Sequence, residues 1–285
     1  MGQSERLIDF GRLIRVHLRR AKRVVGGNRR NPSVQPGLRS CIILGSGRSG
    51  TSMLAGSLAD LGYYMGDNLY IAPREANPKG FFEDFEVNLI NEALIARALP
   101  APLARGRGWL TPVPLGTQFA LRSSLVRRIV AQTTKTPFCF KDPRFCYTLP
   151  AWLPHLGDVA ILCIFREPAR TANSIVEECT KPYLAGIEMD FERALRLWTL
   201  MYRHVLDHHR RGGTWVFVHY DQVLDGSAAA RLGAALGAPI DAGFPDESLR
   251  RSPPRGLVGA ETQQLYHRLC SLAEYHPEAA AVAEA

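Results

Sequence analysis

Residues Gly45-Ser46-Gly47-Arg48-Ser49-Gly50-Thr51-Ser52 place a cation and the hydroxyls of Ser49, Thr51 and Ser52 among closely spaced glycines. Glycine tolerates positive φ and close approach, so successive backbone N–H groups can converge on a phosphate where such a loop opens a helix. Three chemistries compete for it. As a P-loop, Gly45 and Gly50 have the right spacing, but Thr51 stands where the phosphate-gripping Lys belongs, which weighs against ATP or GTP hydrolysis. As a dinucleotide loop, Gly45, Gly47 and Gly50 satisfy a short and common pattern. As a metal-free grip on a highly anionic group, the loop uses Gly47, Arg48, Ser49, Gly50, Thr51 and Ser52 together.

A second anchor follows the apolar run Val159–Phe165, which ends in Arg166-Glu167-Pro168. Ligands of open α/β sheets sit at the carboxyl ends of strands, so Arg166 is expected in the same crevice as the glycine loop. Pro168 suits the first turn of a helix, and Ser174 falls about two turns beyond Arg166. Arg166 and Ser174 together can fork onto a second phosphate. Taken singly, the Arg reads equally well as the cap of a strand end and the Ser as a solvated helix residue.

The elements that must position these groups alternate along the chain. Cys41–Leu44, Phe138–Phe140, Val159–Phe165 and Trp215–Val218 are short apolar runs that read as strands buried on both faces, with helical segments between them. This predicts an α/β fold, a three-layer parallel sheet with helices on both faces, over residues 39–285. Residues 100–116, rich in Pro, Gly and Arg, read as a loop or insertion.

Residues 1–38 read as a basic amphipathic leader and linker. Leu7, Phe10, Ile14, Leu18, Ala21 and Val25 recur at helical spacing, with Arg12, Arg15, Arg19 and Lys22 on other faces. Two readings of residues 5–25 stand side by side: peripheral contact with an anionic membrane, or a helix packed on the protein with a solvated cationic face. The formal charge is +8, and residues 1–40 carry all of it, with ten Lys/Arg against two acids. The remainder is balanced, so nucleic-acid binding is not expected. The scattered cysteines at 41, 139, 146, 163, 179 and 270 fit buried thiols of a cytoplasmic protein, and no ligand spacing points to a metal. No apolar run approaches the ~18 residues of a membrane span. His204, His208 and His209 read as surface residues on a polar helix, and Tyr63-Tyr64 and Phe81-Phe82 as core or as walls of a substrate pocket.

The glycine loop resembles the 5′-phosphosulfate loop of sulfotransferases that use 3′-phosphoadenosine 5′-phosphosulfate (PAPS), of the bacterial and tyrosylprotein type. Arg166, Pro168 and Ser174 are similar in type and spacing to the family's 3′-phosphate anchor. Lys141-Asp142-Pro143-Arg144 resembles a segment whose Lys lies near the transferring group, and Phe217–Leu224 the family's later strand and turn, with Asp221-Gln222 in place of Glu-Asp. The resemblance spans roughly residues 40–225. It implies PAPS as sulfate donor, no metal, Arg48 as the cation at the leaving phosphate and Lys141 assisting. The stretch Asn77-Pro78-Lys79-Gly80-Phe81-Phe82-Glu83 is similar to one that carries a Glu base in bacterial relatives, which makes Glu83 the first candidate base and Glu75 the second. The acceptor would be a hydroxyl on a small molecule, glycan or lipid. The competing functions are a P-loop kinase or NTPase, a nicotinamide-dependent oxidoreductase and a non-enzymatic membrane adaptor. Arg251–Gly256 offers a further cation toward the 3′-phosphate.

Overall fold

The computed structural model describes residues 34–277, apart from 71–78, 102, 104–105, 250–252 and 254. The basic segment 5–25 and Glu75 therefore lie outside the described residues. In chain order the main elements are β1 (Cys41–Leu44), α1 (Thr51–Ser57), α2 (Phe85–Ala98), α3 (Ser123–Thr133), β2 (Cys139–Lys141), α4 (Phe145–Trp152), β3 (Ala160–Phe165), α5 (Pro168–Cys179), α6 (Phe191–Arg203), β4 (Thr214–His219), α7 (Tyr220–Leu224), α8 (Ala229–Leu236) and α9 (Ala260–Ala273). The four strands are parallel in the order β2-β1-β3-β4.

Both faces of this sheet are covered, which is why its strands are apolar except at their ends, at Lys141, Thr214 and His219. Ile42, Leu44, Phe140, Ile161, Cys163, Phe165 and Phe217 point to one side, where α2 to α6 and α9 supply the rest of a large core. The alternate residues Cys41, Ile43, Cys139, Ala160, Leu162, Ile164, Val216 and Val218 meet α1, α7 and α8 on the other. The period of two is the pleat itself. The expected α/β fold with helices on both faces is what the chain adopts, with strand ends moved by a residue. All six cysteines are buried and unpaired.

One expectation changes. His204 and His209 are 2% and 6% exposed, so neither is a surface residue. They lie in a π-helical turn, His204–His209, that widens the end of α6 and packs it against α4. There His204 Nε2 meets the Val113 carbonyl at 3.0 Å and His209 Nε2 the Cys146 carbonyl at 2.9 Å. Of the two readings of Tyr63 and Tyr64 the core one holds: Tyr63 is buried and Tyr64 packs against the larger core, with the Tyr63 hydroxyl donating to the Arg39 carbonyl at 2.7 Å and that of Tyr64 to Gln132 Oε1 at 3.2 Å. Among the described residues no helix is long and apolar enough to cross a membrane.

Candidate active site

The strand order reverses at β1, whose neighbours β2 and β3 lead away on opposite sides, so a crevice opens at the carboxyl ends of these three strands. The glycine loop leaves β1, Lys141 ends β2 and Arg166 follows β3. The local sequence makes the loop tight. Gly45 has φ +154, and a Cβ there would collide with the Ile164 carbonyl of the neighbouring strand. Gly50, at φ +95, caps α1 with no side-chain hydrogen bond to the first turn, which leaves that turn's amides to be met by something else. A Cβ on Gly47 would enter the ring of Trp109, so this aromatic lies directly against the loop.

Arg48 adopts φ +70 and Phe82 φ +54, left-handed conformations that cost non-glycine residues on the order of 1–3 kcal/mol each. Both residues border the crevice, and the first turns the Arg48 side chain toward α5. Its Nε donates to Ser174 Oγ at 3.2 Å, which joins the glycine loop to the second anchor through a single hydrogen bond. Ser174 is buried, as is Arg166, whose guanidinium stacks on the Tyr220 ring at 4.4 Å. The same ring closes over Gly50. Tyr220 is held at the end of β4 by a capping box, in which the His219 N–H donates to Gln222 Oε1 at 3.0 Å and His219 Nδ1 accepts from the Asp221 N–H at 3.2 Å. Gln222, where the resembling segment has Asp, thus serves the cap.

On the third strand end, Lys141 Nζ donates to Glu83 Oε1 at 2.5 Å and to Ser52 Oγ at 3.2 Å, while Ser52 donates to the Phe81 carbonyl at 3.3 Å. The lysine is 2% exposed and the glutamate 15%, so the pair is nearly desolvated. Glu83 is aimed by the segment around it. Leu69 and Asp84 form an antiparallel bridge, and Asp84 caps α2 by accepting from the Glu86 and Val87 amides at 2.9 and 3.0 Å. Burial pushes the Asp84 carboxyl up, and these backbone donors pull against it. The turn after Lys141 is anchored below by Asp142, which accepts from Asn88 and Asn91 at 2.9 Å each and pairs with Arg144 at 2.8 Å. Arg144 in turn holds Glu92, and Glu92 Oε1 accepts from the Gly108 N–H at 2.9 Å, which ties the Trp109 turn to the same network.

Gly47 to Ser52, Arg166, Ser174, Lys141 and Glu83 are therefore brought together at the carboxyl ends of β1, β2 and β3. Sequence reasoning missed the residues that lock it. The Tyr202 hydroxyl, from α6, accepts from the Ser46 N–H at 3.0 Å and donates to the Ile164 carbonyl at 2.8 Å, fixing β1 against β3 where the loop begins. Tyr202 stands four residues from Trp198 on the buried face of α6, a spacing that signals burial, but nothing local names its partner. Phe82 turns away to Phe244, whereas Phe81 stays 5.8 Å from Lys141 Nζ. In the segment expected to return a cation, Arg251 lies outside the described residues, and the Arg255 carbonyl accepts from Asn173 Nδ2 at 2.7 Å, beside Ser174.

No family model and no curated protein matches the chain. Among solved structures it is similar to the sulfotransferase domain of the Synechococcus PCC 7002 olefin synthase, at 16% identity and a TM-score of 0.48 over 85% of this chain and 98% of that one. A sulfotransferase domain from the curacin biosynthetic pathway aligns at 14% identity and a TM-score of 0.46, over 86% and 99% of the two chains. A sulfotransferase from Alicyclobacillus acidocaldarius aligns at 14% and 0.44, over 85% and 97%.

Proposed function

We propose that this protein moves a sulfuryl group from PAPS to an acceptor hydroxyl. The observation that carries the reading is the junction of the two anion-seeking clusters, in which Arg48 of the glycine loop and Ser174 of α5 share a hydrogen bond. A nucleotide with anionic groups at both its 5′ and 3′ ends matches two such clusters on adjacent strand ends better than a dinucleotide or a nucleoside triphosphate does. The residues fit that group. The uncapped start of α1 offers amides, and Arg48 and Arg166 offer cations beside buried hydroxyls. Among the described residues no cluster of His, Cys, Asp or Glu is arranged to hold a metal.

In this reading Gly47, Arg48, Ser49, Gly50, Thr51 and Ser52 hold the 5′-phosphosulfate, and Arg166 and Ser174 hold the 3′-phosphate. PAPS supplies, when bound, a sulfuryl group already activated by its bond to phosphate. The chain supplies charge and a proton acceptor. Arg48 and Lys141 stabilise the negative charge that develops on the leaving side, and the Glu83 carboxylate takes the proton of the acceptor hydroxyl. Lys141 fixes the carboxylate that does this, at 2.5 Å. Phe81 and the half-exposed Tyr70, whose rings lie 5.8 Å apart, support an acceptor with an apolar face, in which a small molecule, a glycan face or a lipid all qualify.

Calorimetric titration with adenosine 3′,5′-bisphosphate in EDTA tests the donor. We expect saturable binding, weakened roughly 10- to 100-fold by Arg166→Ala, the loss of a charge-assisted contact. Uptake of ATP with magnesium, or of NAD⁺, without any binding of the bisphosphate would overturn the reading.

A further inference from the structure

The guanidinium of Arg48 already has an anionic partner. While its Nε donates to Ser174, its Nη1 stands 3.5 Å from Glu178 Oε2. Ser174 and Glu178 are four residues apart on α5, so they share one helix face and approach Arg48 from successive turns. The glutamate side chain is 7% exposed, against 29% for the arginine. Its other oxygen accepts from the Tyr183 hydroxyl, and the Tyr183 backbone carbonyl in turn accepts from Arg107 Nη2 at 3.5 Å. Burial, then the contact with Glu178, pushes the Tyr183 phenol up, so it serves as a proton donor to the carboxylate.

Such a carboxylate is unexpected in a site built for anions. It opposes any phosphate or sulfate in two ways: it occupies the guanidinium the ligand needs, and it repels the ligand's charge. We propose that Glu178 is a latch on Arg48, holding the guanidinium against α5 while the glycine loop carries no anion and surrendering it when one binds. Tyr183 weakens the latch by taking part of the carboxylate's charge into its own hydrogen bond. Glu178 is thus a positioning residue that sets donor affinity through Arg48, and this deepens the sulfotransferase reading on which it rests.

The two side chains make opposite predictions. Glu178→Gln keeps the shape and removes the competing charge, so adenosine 3′,5′-bisphosphate should bind about 5-fold tighter. Tyr183→Phe frees the carboxylate for Arg48, so binding should weaken about 2-fold or more. In an Arg48→Ala background, Glu178→Gln should leave affinity unchanged, because the latch has nothing to hold. A purely structural role for Glu178 would weaken binding in both single variants and persist without Arg48. If the wild type binds the bisphosphate and Glu178→Gln binds equally or less well, the latch is wrong and the donor assignment stands. If the wild type does not bind it, the donor assignment falls and the latch is read from labelling of Arg48 by phenylglyoxal, mapped by mass spectrometry. Faster labelling in Glu178→Gln supports it, and an unchanged rate overturns it.

Discussion

A 2.5 Å contact between Lys141 Nζ and Glu83 Oε1 ties the proposed base to the end of β2. Desolvation makes both charges depend on the contact, since either one alone is left nearly out of water. Lys141→Ala should therefore lower stability by roughly 2–4 kcal/mol, an amount set by the unpaired carboxylate. Adding Glu83→Gln should recover much of it, and urea unfolding of the four proteins in the cycle measures the coupling. Glu83→Gln alone should reduce sulfuryl transfer by about 10²- to 10⁴-fold, the range for losing a general base. Bisphosphate affinity should stay within about 3-fold, because Glu83 reaches the donor loop only through Lys141, and glutamine can still accept from that lysine. Equal loss of binding and rate would move Glu83 from proton transfer to donor binding.

At the level of elements, α6 ends in a π-helical turn that turns inward two histidines which a polar helix would leave in water. His209 is driven down to about 3, by burial first and then by the neighbouring His204, so it is neutral in the fold. The unfolded chain takes up that proton near pH 6.5 and the folded chain does not. Stability from this group is thus complete above about 6.5 and is lost progressively as pH falls toward 3. His209→Gln, which can still donate to the Cys146 carbonyl, should flatten that part of the pH dependence. Urea midpoints between pH 7 and 4 that fall in parallel in the two proteins would show that other groups carry it. A wider helical turn leaves no mark in the spacing of charged and apolar residues, so the polar run Arg203–Arg211 reads as exposed. The strands were legible for the opposite reason. Cys41–Leu44 and Ala160–Phe165 are buried on both faces, and an unbroken apolar run states that directly.

Across the whole molecule, the crevice is assembled from segments far apart in sequence: Gly47, Glu83, Trp109, Lys141, Arg166, Ser174, Tyr202 and Tyr220 meet because three strand ends meet. The groups legible beforehand, Arg48, Arg166 and Ser174, sit in short patterns whose chemistry is local. Those not legible, Tyr202, Trp109 and Glu178, act through partners 16 to more than 100 residues distant, or through a helix face whose facing side chain the sequence does not name. Trp109 in particular comes from a stretch whose Pro, Gly and Arg content suggested only a loop, yet Glu92 draws its turn down onto the glycine loop. That contact makes the protein its own optical probe. Indole emission responds to the field and the solvent around the ring, and Trp109 is half-buried against the place where charge would arrive, whereas Trp152 and Trp198 are fully enclosed. Titrating the bisphosphate should shift or quench the emission along the calorimetric isotherm, and Trp109→Phe should abolish the change. A silent wild-type spectrum at saturating ligand would mean that the bound anion does not reach the part of the loop that the indole covers.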